Sequence, residues 1–161
     1  MTGTVGADVH ILLRYGQSLS GLEDTIPAHQ AVLGRYGAVL FGKVGRPFGK
    51  ETVATVQREV AEQRSPFLFL AAKAGREFIV HRGQIAAMIL DLSAEDRSLV
   101  PDYYARSAIT GRIGTWFRLV SLDRISPATL KKVVVAKTGT PILSVLGSSR
   151  NSMFIVSLGT T

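Results

Sequence analysis

Aromatic side chains stand close to arginine or lysine at several places in this 161-residue chain. Phe41 and Lys43 are two residues apart, Tyr103 and Tyr104 precede Arg106, and Trp116, the only tryptophan, is two residues from Arg118. Alternate residues of an extended strand share a face. In a strand over 115–122, Trp116, Arg118 and Val120 therefore fall on one side, with Phe117 and Leu119 on the other. If Phe117 and Leu119 turn to a core, a flat π surface and a guanidinium point outward together. Phe41 and Lys43 share a face by the same rule. Base stacking combined with phosphate contact requires this pairing of ring and cation. The competing placement puts Trp116 in the core, where large aromatics usually go.

Charge points the same way. Lys and Arg number 19 against 12 Asp and Glu, a net charge of +7. Residues 1–100 hold eleven basic and ten acidic side chains. Residues 101–161 hold Arg106, Arg112, Arg118, Arg124, Lys131, Lys132, Lys137 and Arg150 against only Asp102 and Asp123. A basic segment of this kind suits a polyanion, because neutralised phosphates release counterions. Thirteen of the cations are arginine, whose planar fork holds phosphate bidentately and stacks on bases. Basic charge that serves solubility alone is the plain alternative.

Most catalytic patterns fail on their spacing. The loop FGKVGRPFGKET resembles a phosphate-binding loop, but that pattern needs glycine at 44 and Ser or Thr at 51, which are Val44 and Glu51. Its glycines still allow close backbone approach, and Lys43, Arg46 and Lys50 make it positive. Lys137-Thr138-Gly139 lacks the companion Ser-x-x-Lys and Ser-Asp-Asn elements of penicillin-recognising enzymes, and no G-x-S-x-G elbow exists. There is no cysteine, which removes disulfides, thiol catalysis and thiolate metal sites. His10, His29 and His81 are scattered, so no metal site and no cofactor is expected. Asp91, Glu95, Asp96 and Asp102 are the one carboxylate concentration. It can supply acid–base groups or a cation site, or form a solvated turn. Asp91 lies inside an apolar run and is the carboxylate of interest.

The elements that must position these groups follow from period and punctuation. Val9–Tyr15 is expected as a strand, ended by a loop over 16–24. Thr25 with Pro27 in the first turn starts a helix that should run to Tyr36 and stop at Gly37. Ala38–Lys43 is a strand. Lys50–Gln63 is a helix, with Val53, Val56 and Val60 on one face. PFLFLAAK and EFIVHR flank a turn at Ala74–Arg76, and Ile85–Leu92 is a further, buried strand. Residues 93–112 are irregular with one helical turn near Pro101. Strands are expected over 115–122, 133–137, 142–146 and 153–158. This makes one domain over 1–161 in the α+β class, a curved, mainly antiparallel β-barrel of about six to eight strands with two or three flanking helices. No apolar run reaches the roughly 18–20 residues of a membrane span, and with no secretory signal the expected compartment is the cytoplasm.

HILLRY, VLFGKVGRP, the strand ending LDL, PDYYARS and TWFRLVSLDRIS together resemble the PUA-like superfamily, which includes the EVE, YTH, ASCH and SRA domains. The layout over about residues 8–158 is most similar to the EVE type. The resemblance implies a β-barrel that holds a nucleobase, often modified, in an aromatic pocket, and bacterial modules of this kind read modified DNA in restriction systems. It makes Trp116 a pocket wall, with Tyr103, Tyr104 and Phe41 as stacking surfaces. Tyr15 and Ser18 lie at the edge, with Asp91 beside the base. Lys43, Arg46, Lys50, Arg112 and Arg118 would contact phosphates. With one tryptophan, a three-aromatic methyl cage of the YTH kind would need tyrosine or phenylalanine here.

The leading expectation is therefore a non-catalytic reader of nucleic acid, with DNA favoured over RNA, acting beside a nuclease or ATPase effector in a defence setting. An ASCH-like amidohydrolase acting on a modified nucleoside is the enzymatic alternative, with Lys43, Asp91 and Glu77 as its candidate groups. A basic protein-interaction domain is the third.

Overall fold

The computed structural model describes residues 7–15, 18–19, 23–106, 113–147 and 153–159. Strand β1, His10–Arg14, leads into a short ribbon of β2, Ser18–Leu19, and β3, Glu23–Asp24. Helix α1 is Thr25–Tyr36. It ends where Gly37 takes φ +79°, a left-handed cap only glycine adopts without strain, and donates its N–H to the Leu33 carbonyl at 2.8 Å. Strand β4 is Val39–Val44 and helix α2 is Lys50–Ala61, which buries Val53 and Val56. Strands β5, Phe67–Ala74, and β6, Glu77–Ile89, form the expected hairpin.

A 3-10 turn at Asp96–Leu99 and the short helix α3, Tyr103–Arg106, precede β7, Ile113–Leu119. Strand β8, Asp123–Ile125, is followed by a 3-10 helix at Pro127–Lys132, whose first turn is capped by Ser126 Oγ accepting from the Ala128 N–H at 3.2 Å. Strand β9 is Val133–Val135, helix α4 Ile142–Leu146, and strand β10 Met153–Leu158. No helix among the described residues is long and apolar enough to cross a membrane.

The main sheet has eight strands in the order β4-β7-β6-β5-β1-β10-β9, with β8 pairing to β6. All ladders are antiparallel except β1 with β5, whose strands are joined by the long crossover through α1, β4 and α2. The ladder is open, with β4 and β9 as its edges. Two sequence expectations are corrected, and one strand is added. Residues 77–89 are one strand, not two. Glu77–Gln84 pair with β5, and from Ile85, through a bulge before Ala87, the strand pairs with β7. Residues 142–146 are helical. Ile142 and Leu146, four apart, are both buried, and so short an apolar run does not declare its period. Asp123–Ile125, exposed except for half-buried Ile125, is a strand because β6 offers it an edge.

Alternation distributes the core. Ile11, Leu13, Leu68, Leu70, Phe117 and Leu119 face α1 and α2 with Val39 and Phe41. Leu12, Phe69, Val80, Phe154 and Val156 face the other way, under Leu130, Ile142 and Leu146. A third cluster lies on the far side of β4 and β7: Ala38, Leu40, Leu99, Tyr104 and Trp116. The β4–α2 connection is pressed onto Gly114 of β7, where a Cβ would collide with the backbone of Gly45, Arg46 and Pro47, and the Phe48 N–H bonds Thr115 Oγ1 at 3.0 Å.

Two glycine substitutions should therefore have opposite signs. Gly34→Ala, in exposed α1 with open space around it, should stabilise by about 0.5–1 kcal/mol. Gly114→Ala should cost about 1–3 kcal/mol, since backbone rather than a flexible side chain must move. Thermal unfolding of both variants checks the pair, and a neutral Gly114→Ala would contradict the packing of the loop.

Candidate functional site

On β7, Phe117 enters the main core while Trp116 turns to the opposite face. Trp116 sits across from Gly42 of β4, where a Cβ would come within 2.9 Å of the indole Cζ3 and of Ile113 Cγ2. Only glycine at 42 leaves room for the ring. The indole meets Tyr104 in a T-shaped contact, with centroids 5.1 Å apart and planes at 63°. Beside them opens a cavity of about 370 Å³, lined by Trp116, Tyr104, Leu92, Arg97, Pro101 and Asp102 among others. Its size and mixed lining fit a small planar ligand, with apolar walls and a few polar groups.

A buried relay holds Tyr104. The phenol oxygen accepts the Gly42 N–H at 3.0 Å and lies 3.0 Å from His29 Nε2, while His29 Nδ1 lies 2.6 Å from the Thr25 carbonyl. A carbonyl can only accept, so Nδ1 carries the ring proton and Nε2 accepts from the Tyr104 hydroxyl. Burial pushes the His29 pKa down to about 4, partly offset by its bond to Thr25, so the ring is neutral at pH 7. The Gly42 N–H points away from β7, at the sheet edge, so the relay also closes an edge amide that would otherwise be buried unpaired.

The segment over the cavity is built from local bonds. The Ser93 N–H donates to Asp96 Oδ2 at 3.0 Å and the Asp96 N–H to Ser93 Oγ at 3.2 Å, a reciprocal cap. The Ser93 amide, then its hydroxyl, hold the Asp96 carboxyl below its ordinary pKa, and Arg118 adds to this. Asp96 is thus a turn residue. Glu95 supplies a carbonyl to Ser98 Oγ at 3.0 Å, and the Tyr104 N–H bonds the Pro101 carbonyl at 3.1 Å.

The expected site residues are only partly brought together. Trp116 and Tyr104 share the cavity, but Trp116 is 5% exposed, not an open stacking platform, because residues 92–105 cover it. Arg118 remains exposed on the same face of β7. Phe41 is on the other side of the sheet, packed on His29 at 4.6 Å. Lys43 follows Phe41 to that side and lies 5.5 Å over the Phe48 ring, where burial lowers its pKa. Arg46 and Lys50 are exposed at the end of β4 and the start of α2. Asp91 is exposed beyond the end of β6 and does not line the cavity. Tyr15 lines a separate cavity. Ser18 and Tyr103 are described by backbone only, and Arg112 lies outside the described residues.

The enzymatic trio does not assemble. Glu77 is the first residue of the 13-residue β6, Asp91 lies beyond its other end, and Lys43 is on another strand. Among the described residues no three His, Asp or Glu side chains group as metal ligands. Two contributors lacked any sequence signal. His29 contacts Tyr104 across 75 residues, and Arg97 reaches the cavity only through the 3-10 turn.

A family model for PUA-like domains matches residues 11–153, and the chain belongs to that family. No curated protein matches it significantly. Among solved structures, the chain is similar to the YTH domain of the Zygosaccharomyces rouxii MRB1 protein, crystallised with N6-methyladenosine RNA. The TM-score is 0.39 at 12% identity, covering 96% of this chain and 81% of that one.

The relay makes stability depend on pH. The folded pKa of His29 lies below the unfolded 6.5, so the unfolded chain takes up the proton first. Stability is complete above about pH 6.5 and falls as pH drops toward 4, by about 3 kcal/mol for this residue. His10, buried and also lowered to about 4, moves the same way. Denaturant unfolding from pH 7 to 4 should show the loss, and His29→Gln should remove about one proton from the slope. Tyr104→Phe, which deletes both relay bonds, should cost about 2–4 kcal/mol at pH 7. An unaltered slope in His29→Gln would place the titration elsewhere.

Proposed function

We propose that the chain is a nucleic-acid reader that accepts one extruded or unpaired base, modified in its natural target, into the cavity beside Trp116 and Tyr104. The observation that carries this is a cavity walled by an indole and a phenol, with Arg97 and Asp102 at its polar side, in a chain of net charge +7. An extruded base forfeits a few kcal/mol of stacking, and contact with an aromatic face returns about 1–3 kcal/mol. Asp102 is suited to accept from an exocyclic amine and Arg97 to donate to a ring nitrogen or carbonyl. Arg118, on the Trp116 face, meets the flanking phosphate, and Lys43, Arg46 and Lys50 offer a second cationic stretch at the end of β4. Membership in the PUA-like family supports this reading. We further propose an EVE-type reader of modified DNA rather than RNA, working in the cytoplasm beside a separately encoded nuclease or ATPase.

The test is an affinity panel at two salt concentrations on matched single- and double-stranded DNA and RNA. Each strand carries cytosine, 5-methylcytosine, 5-hydroxymethylcytosine, adenine or N6-methyladenine. One modified base should be preferred by about tenfold or more, with the preference retained at high salt. Trp116→Phe should keep the fold and part of the discrimination, and Trp116→Leu should lose discrimination while retaining salt-sensitive binding. Arg118→Ala should weaken all sequences alike and lower the salt slope by about one. Indiscriminate binding that vanishes with salt would sink the base-pocket reading.

A further inference from the structure

A second cavity, of about 320 Å³, lies on the other side of α1 from the Trp116 site. Ile26 and Gln30 of α1 line it, whereas Ala28, Ala31 and Arg35 face the groove that continues to Val100–Asp102. Its remaining wall comes from Tyr15 after β1, Ile79 and His81 on β6, and Arg124 on β8. Arg124 stands directly opposite His81 in the β6–β8 register, which puts both side chains on one face. Gln30 fixes α1 to this corner by donating Nε2–H to the Leu122 carbonyl at 3.2 Å.

Gln30 apart, the polar side chains of this cavity have no partner among the described residues. Every ion pair among the described residues belongs to Arg64, so Arg124 pairs with no described carboxylate. The Tyr15 hydroxyl makes no hydrogen bond among the described residues, and His81 is 8% exposed with Nδ1 buried and unpaired. Burial lowers the His81 pKa and Arg124 lowers it further; burial raises that of Tyr15. The cavity therefore presents an unpaired guanidinium, a protonated phenol and a neutral imidazole, all able to donate, beside apolar Ile26 and Ile79. A guanidinium without a carboxylate partner, flanked by two unpaired groups that can donate, suits an anionic ligand with several acceptor oxygens.

We propose that this cavity is a phosphate site, with Arg124 as the charged anchor and the Tyr15 hydroxyl and a His81 ring N–H as further donors. The phosphate can belong to a free mononucleotide or to the backbone of a bound nucleic acid, and the site does not depend on base recognition at Trp116.

The experiment titrates the full chain, at constant ionic strength, with inorganic phosphate, with adenosine 5′-monophosphate and with a single-stranded oligonucleotide. Wild type is compared with Arg124→Gln, Tyr15→Phe and, as a charge control on exposed α2, Arg58→Gln, with thermal melts confirming the fold of each. If the ligand is free, inorganic phosphate or the mononucleotide saturates wild type. Arg124→Gln then weakens it about tenfold, Tyr15→Phe a few-fold, and Arg58→Gln leaves it unchanged. If the phosphate is part of a strand, the free probes bind negligibly and the same ranking appears with the oligonucleotide. The proposal is overturned if Arg124→Gln leaves every probe within twofold of wild type, or if Arg58→Gln weakens binding as much. A Trp116 variant that loses base discrimination leaves this ranking untouched, so the two sites fail separately.

Discussion

At the edge of β4 the Tyr104 hydroxyl takes the N–H of Gly42 and gives its own proton to His29, and the placement of the Trp116 cavity follows from those two bonds. They join three separate parts of the chain: α1, the edge strand of the sheet, and the short helix α3 that lids the indole. None of the three is long enough to specify this arrangement alone. A neutral imidazole in a buried position is required, because a protonated ring has no lone pair for the phenol. Burial supplies the neutrality and the Thr25 carbonyl supplies the tautomer.

The sheet does the sorting that places the Trp116 cavity on the face away from the main core. Period-two alternation sends Phe117, Leu119 and Phe41 into the main core and leaves Trp116, Gly42 and Leu40 on the other side. That second face is too small to bury itself. The segment from Leu92 to Ala105 covers it incompletely, and the remaining gap is the cavity. Gly42 sets its depth, since any side chain there would displace the indole. The basic surface is distributed around this layout, with Arg118 on the Trp116 face and Lys43, Arg46 and Lys50 beyond the opposite one.

Much of the fold is written in local sequence. Thr25, Pro27 and Gly37 delimit α1 by capping and backbone chemistry, and alternation over 115–119 gives the two faces of β7. Where local signals are silent, long-range pairing decides. The single strand 77–89 reads as two because its partner changes at Ile85–Ala87, and Ile142–Leu146 is too short for its period to show. The site follows the same division. Trp116, Tyr104 and Arg118 stand out by residue type, but alternation tells only that Trp116 opposes Phe117, and not that residues 92–105 cover it. The resemblance groups Phe41 and Lys43 with Trp116, but the register of β4 on β7 puts them on the far side. His29 has no sequence signal at all, since its partner lies 75 residues away.

Because Trp116 is the only tryptophan, its emission reports the cavity with no background. The most direct measurement titrates the protein with single-stranded oligonucleotides carrying one modified base, following Trp116 fluorescence and oligonucleotide anisotropy in the same samples at high salt. A base entering beside the indole should quench emission saturably, with the same midpoint as the anisotropy change, and more strongly for the preferred base. Full binding by anisotropy with unchanged Trp116 emission would show that nucleic acid occupies the basic surface and that no base enters the cavity.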